Sequence, residues 1–210
     1  GKLGVVLLQF PPYFVANRAN REYISRSVDL LAPDRVAVEF RHASWVEPEE
    51  ARTTFGLLTS LGASYVCVDE PRIDGPTILP PLTAATSEIS YARFHGRNAA
   101  TWNARTGSAA ERFKYLYSTQ ELMEWVEPVR QLQAETTTTY LMFNNCYADY
   151  APRNAQQMLS LLDFSPGSEG WPAGLTAAVS NLAAGDADEK GGRPGGAHEK
   201  GGTSEEAPPQ

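Results

Sequence analysis

A chain of 210 residues with 42% hydrophobic residues can fill the core of one domain of ordinary size. Its formal net charge of −7 argues against a general nucleic-acid coat, and no apolar run is long enough to cross a membrane. Cys67 and Cys146 follow no metal or redox spacing and no signal peptide precedes them, so the plain reading is a cytoplasmic protein with reduced thiols.

The apolar residues are unevenly spread. Residues 1–164 are dense in Leu, Val, Phe, Tyr and Trp and carry a net charge of −3. Residues 165–210 turn to Gly, Ala, Pro, Glu and Lys and carry −4. The second stretch buries too little apolar surface to offset its ordering entropy, which predicts a disordered tail behind a domain ending at 164.

Five segments of the body read as strands, rich in β-branched and aromatic residues: 3–10, 35–40, 64–69, 90–95 and 139–144. Between most of them the spacing is helical. Residues 18–32 set Ala19, Tyr23, Val28 and Leu31 among charges. Ser44-x-x-Glu47 reads as a capping box for a helix from Trp45 to Leu61 that closes at Gly62. A second box, Ser118-x-x-Glu121, starts a helix in which Pro128 should break the run. Asn154 is placed to cap the last helix. Strands and helices that alternate about every thirty residues predict an α/β architecture with a parallel sheet. No Gly-rich loop follows a strand, so a dinucleotide-binding fold is disfavoured and no cofactor is expected.

Polar residues gather at the strand ends on one numerical parity. Gln9 shares a face with Val5 and Leu7, Glu39 and Arg41 with Ala37, Asp69 with Tyr65 and Cys67, and Arg93 and His95 with Tyr91. A β/α barrel shows this pattern, because its inward residues at the C-terminal mouth face the ligand. Glu39, Asp69 and His95 are then the candidate catalytic groups. Gln9, Arg41, His42, Trp45, Arg93, Arg97, Trp102, Asn144 and Asn145 are the candidate ligand-binding groups. Three arginines in one region suit an anion better than a metal cation. Gly96 would let the backbone approach that anion closely.

LLQFPP (7–12), VAVEFRHASW (36–45), YVCVDEP (65–71), YARFHGR (91–97), ERFKYLYS (111–118), FNN (143–145) and Asn154-Ala155 together resemble the YecE-like family, also called the domain of unknown function 72 family. The resemblance implies a TIM-like barrel without an established activity. Family members begin with further strands, including Gly-Thr-Ser-Gly-Trp and Glu-x-Asn-x-x-Phe-Tyr stretches. About three of the eight βα units are therefore expected to be lacking here. That leaves an incomplete barrel, either cut short or completed by a partner. The position after Asn144-Asn145, often His in the family, is Cys146 here.

Three functions compete. One is an enzyme acting on a phosphorylated or otherwise anionic substrate, with Glu39 or Asp69 as base, His95 as acid, and Arg93 and Arg97 stabilising charge. A metal-dependent hydrolase is its variant, with Glu39, Asp69 and a histidine as ligands. The alternative is a non-catalytic module that binds a small anion or a nucleic-acid end at the same mouth.

Overall fold

The computed structural model describes residues 2–102 and 113–164. They fall in a compact unit spanning Gly1–Trp171; a second unit, Pro172–Gln210, and the expected tail from 165 lie outside the described residues.

Five parallel strands stand in sequential order: β1 (Val6–Gln9), β2 (Val36–Glu39), β3 (Ser64–Asp69), β4 (Ile89–Phe94) and β5 (Thr138–Phe143). Sequential parallel order requires a crossover after each strand. Helices supply three of these connections: α1 (Arg18–Leu31), α2 (Pro48–Ser60), and the group α3 (Ala99–Trp102), α4 (Thr119–Met123) and α5 (Val126–Glu135). The connection from β3 to β4 has no helix among its residues 70–88, and α6 (Tyr150–Leu161) follows β5. The result is a parallel half-barrel.

The sheet is strongly curved. A Cβ placed on Gly4, just before β1, would come within 2.8 Å of the Tyr140 hydroxyl on β5. Likewise Arg93 on β4 donates from Nη1 to Gln9 Oε1 on β1 at 2.8 Å. Side chains thus meet across the concave face from strands that are not neighbours. The convex face is covered by helices. There Phe55 of α2 meets Tyr65 edge-on at 5.0 Å, and Trp125 meets Phe94 at 5.1 Å.

Local chemistry explains most helix ends. Asn17 caps α1 by accepting from the Asn20 N–H, and the Ser118–Glu121 capping box is fully formed. Pro128 sits in the first turn of α5, where its missing N–H costs nothing, and the break falls just before that helix. Two expectations fail. Ser44 lies inside a 3₁₀ turn (Ala43–Trp45), and α2 begins only at Pro48. The Ser44 Oγ instead accepts from the Ala16 N–H at 2.9 Å, tying the β1 loop to the β2 loop. Asn154 lies within α6 rather than capping it; it is buried, and it accepts from the Tyr117 N–H and donates to the Tyr117 carbonyl.

Candidate functional site

Residues paired in register in a parallel sheet point to the same face. Gln9 pairs with Glu39, and Ala37 with Ser64, which puts Ser64, Val66 and Val68 on the concave side with Glu39. Val68 pairs with Arg93 and Asp69 with Phe94. Asp69 therefore points to the convex, helix-covered side. The single-parity expectation is wrong for β3, and Glu70 is the acid that continues the concave row. The reason is that β3 is buried on both faces along its whole length. A strand with no polar alternation carries no phase in its sequence.

On the concave side, Glu39 is the hub. It is fully buried at the end of β2 and accepts from Arg93 Nη1, from His95 Nε2 at 3.0 Å and from Arg41 Nη1 at 3.3 Å. Burial alone would raise its carboxyl pKa, but the hydrogen bond and charge of its partners His95 and Arg93 outweigh that and bring it down to about 2. His95 is buried too. Burial pushes its pKa below the ordinary value despite the Glu39 hydrogen bond. Above pH 7 it is neutral imidazole, donating from Nε2 to Glu39 and leaving Nδ1 to accept from Asn144 Nδ2 at 3.2 Å. That arrangement fixes the tautomer. The charge that helps to depress the Glu39 pKa is the one His95 carries once protonated at lower pH. Arg41 also reaches Glu70 Oε2 at 3.8 Å, and its guanidinium lies 5.4 Å from the centre of the buried Trp102 ring.

Reachability separates these groups. Arg93 and Arg41 keep 12% and 14% of their side chains exposed, and Gln9 is exposed, whereas Glu39 and His95 are sealed behind them. A ligand arriving from the concave side meets guanidinium groups first.

Several expected ligand-binding residues serve other ends. Trp45 is fully buried: it stacks on Phe40 at 4.4 Å and donates from Nε1 to the Phe14 carbonyl at 2.7 Å. It packs the convex core because its loop folds back over β2. Trp45→Ala is expected to cost about 3–5 kcal/mol through the cavity it leaves. Anion affinity in the folded fraction should stay unchanged; a thermal melt beside a binding titration checks both. His42 Nδ1 accepts from the Ser44 N–H, capping the 3₁₀ turn. Asn145 is buried and donates to the Tyr115 carbonyl and Asn154 Oδ1, so it braces a loop. Gly96 has φ of +88°, and a Cβ there would lie 2.7 Å from that of Tyr115. Its close approach is therefore to a protein side chain.

Asp69 and Arg97 form a separate cluster on the convex side. Asp69 accepts from Arg97 Nε at 2.9 Å and Nη2 at 2.8 Å, from the Tyr117 hydroxyl at 2.7 Å and from Trp125 Nε1 at 2.9 Å. Arg97 also donates to Glu124 at 2.8 Å. This arginine is fully engaged and does not clamp a ligand at the concave mouth. The metal ligand set of Glu39, Asp69 and a histidine is likewise split between two faces. Among the described residues, no group of three or more His, Cys, Asp and Glu side chains is placed to hold a metal ion. Among them, too, no helix is long and apolar enough to cross a membrane.

The described residues form an α/β protein: a five-stranded parallel half-barrel whose concave side carries polar residues at the C-terminal strand ends. Its family follows from comparison: the profile described as "Protein of unknown function DUF72" matches residues 1–174, and the chain belongs to that family. This is the family the sequence motifs resemble. The chain is 33% identical over 165 residues to the UPF0759 protein YunF of Bacillus subtilis, covering 77% of this chain and 58% of the relative. It resembles the crystal structure of a DUF72 family protein from Enterococcus faecalis with a TM-score of 0.73 and 31% identity, over 78% of this chain and 60% of that one. A DUF72 family protein from Thermotoga maritima gives a TM-score of 0.67 and 38% identity, over 76% and 57%. The chain thus spans about three fifths of the length of these relatives.

Proposed function

We propose that the concave mouth binds a small anionic ligand, a phosphate or carboxylate group, through Arg41 and Arg93. The observation that carries this is the pair of partly exposed guanidinium groups gathered around one buried, ionised carboxylate. Glu39 orients both arginines but neutralises only one positive charge, so a surplus faces the approaching ligand whenever the Glu70 carboxyl beside Arg41 is protonated. Gln9 accepts from Arg93, and Asn144, bonded to His95, adds a second neutral hydrogen-bonding group.

A second reading, an acid–base enzyme acting on such an anion, is supported by the Glu39–His95–Asn144 chain. It holds an imidazole in one tautomer beside a carboxylate, a suitable proton carrier once a ligand draws the arginines outward.

Sulfate, which does not titrate near neutral pH, is the probe. Calorimetry on the 210-residue chain should show saturable binding that weakens with added chloride. Arg93→Gln and Arg41→Gln should each weaken it roughly tenfold or more, the value of a charge-assisted hydrogen bond. Undiminished binding in both variants, or no binding by the wild type, defeats the assignment.

A further inference from the structure

Glu70 lies beyond the end of β3 on the concave row. Its side chain is 1% exposed. Oε1 accepts from the Leu79 N–H at 2.5 Å, which pins the carboxyl to the connection between β3 and β4. Oε2 is buried and has no hydrogen-bond partner among the described residues; its nearest opposite charge is Arg41 Nη2 at 3.8 Å. A buried carboxylate oxygen without a donor is costly, whereas a protonated carboxyl group leaves no bare charge there.

We propose that Glu70 is the proton-holding group of this site, so that an anion enters at Arg41 together with a proton on the Glu70 carboxyl. The inference rests on the anion-binding reading and adds what accompanies the ligand. Its geometry is a shared arginine: Arg41 holds Glu39 through Nη1 and faces Glu70 through Nη2. An anion that draws the guanidinium outward removes the nearest positive charge from Glu70 and adds a negative one nearby. Both changes favour the protonated carboxyl, and by reciprocity a protonated Glu70 favours the anion.

The surroundings agree. Burial raises the Glu70 pKa; Arg41 and the Leu79 N–H lower it, and Glu39 on β2 and Asp69 on β3 raise it, leaving it at about 7. Tyr65, the other titratable neighbour on β3, is buried and has its pKa raised well above the ordinary value, so it stays neutral. His95 has its pKa lowered by burial and is neutral above pH 7.

Sulfate binding is to be measured from pH 6.5 to 8.5, at each pH in two buffers of different ionisation enthalpy. The wild type should lose affinity as pH rises, by up to about tenfold for each unit that the ligand raises the Glu70 pKa. Near pH 7.5 the enthalpy should differ between buffers in the sense of proton uptake. Glu70→Gln should bind with little pH dependence, at the wild type's low-pH affinity. A buffer-independent enthalpy in the wild type overturns the inference without needing the variant, and a folded Glu70→Gln that keeps the pH slope also overturns it. Sulfate binding without a pH slope removes only the role of Glu70, while absence of binding at every pH removes the anion reading itself.

Discussion

Asp69→Ala is expected to destabilise the protein by about 4 kcal/mol, enough to lower the melting temperature by roughly 8–16 °C for a domain of this size. The side chain is buried and both its oxygens are occupied by Arg97, Tyr117 and Trp125. Removing it strands the guanidinium, a hydroxyl and an indole N–H in a site without water-like partners. Arg97 retains Glu124 but loses its better-buried partner. Asp69→Asn should also destabilise, though less, because one amide N–H must then confront a donor. Urea denaturation of the three proteins measures this. A loss below about 1 kcal/mol for the alanine variant would show that Asp69 is not the clamp described. Sulfate affinity measured on the folded fraction should survive, since the cluster lies on the convex face.

The second large effect is at Arg93. Arg93→Ala leaves Glu39 buried with only Arg41 and the neutral His95, and a loss of about 3 kcal/mol is expected. Arg93→Ala/Glu39→Gln should recover much of it, because the unpaired charge is gone. The same pairing gives an acid signature. The folded-state pKa of Glu39 is depressed from 4.5 to about 2, so its stabilisation is fully present above about pH 4.5 and is lost as pH falls towards 2. That difference is worth about 3 kcal/mol in the wild type. In Arg93→Ala the pKa should rise and the acid-sensitive window should shrink. Denaturation midpoints between pH 2 and pH 6 check the pair; equal acid slopes in both proteins would sink the account.

Much of the fold was legible because its signals are local. The strands fall within about three residues of their expected bounds, since β-branched runs ending in polar residues are short-range features. The Ser118 box formed, its hydroxyl finding both its donor and its acceptor on Glu121. Ser44 has an identical pattern but a tertiary competitor, the Ala16 N–H from a distant loop, which no local pattern reveals. The site was half legible for a related reason. Glu39, Arg93, His95 and Gln9 converge as their parity suggested. Odd numbering, however, has no meaning from one strand to the next, because each connection resets the phase. In β3, Val66 and Cys67 are equally apolar, so only the register tells Asp69 from Glu70. A signal was available: two adjacent acids ending a strand must face opposite sides, so one of them always had to join the concave row. Trp45 was misplaced because a tryptophan after a strand end suits a stacking platform and a core plug equally.

The pairing of Arg41 with Trp102 gives the mouth a chromophore of its own. Indole emission responds to a cation held over the ring, and this cation belongs to one of the two arginines proposed to receive the anion. Trp125, hydrogen-bonded to Asp69 on the opposite face, is a second indole set apart from that arginine. The mouth thus carries an optical reporter of its own, to be read against the emission of the other three tryptophans, Trp45, Trp125 and Trp171.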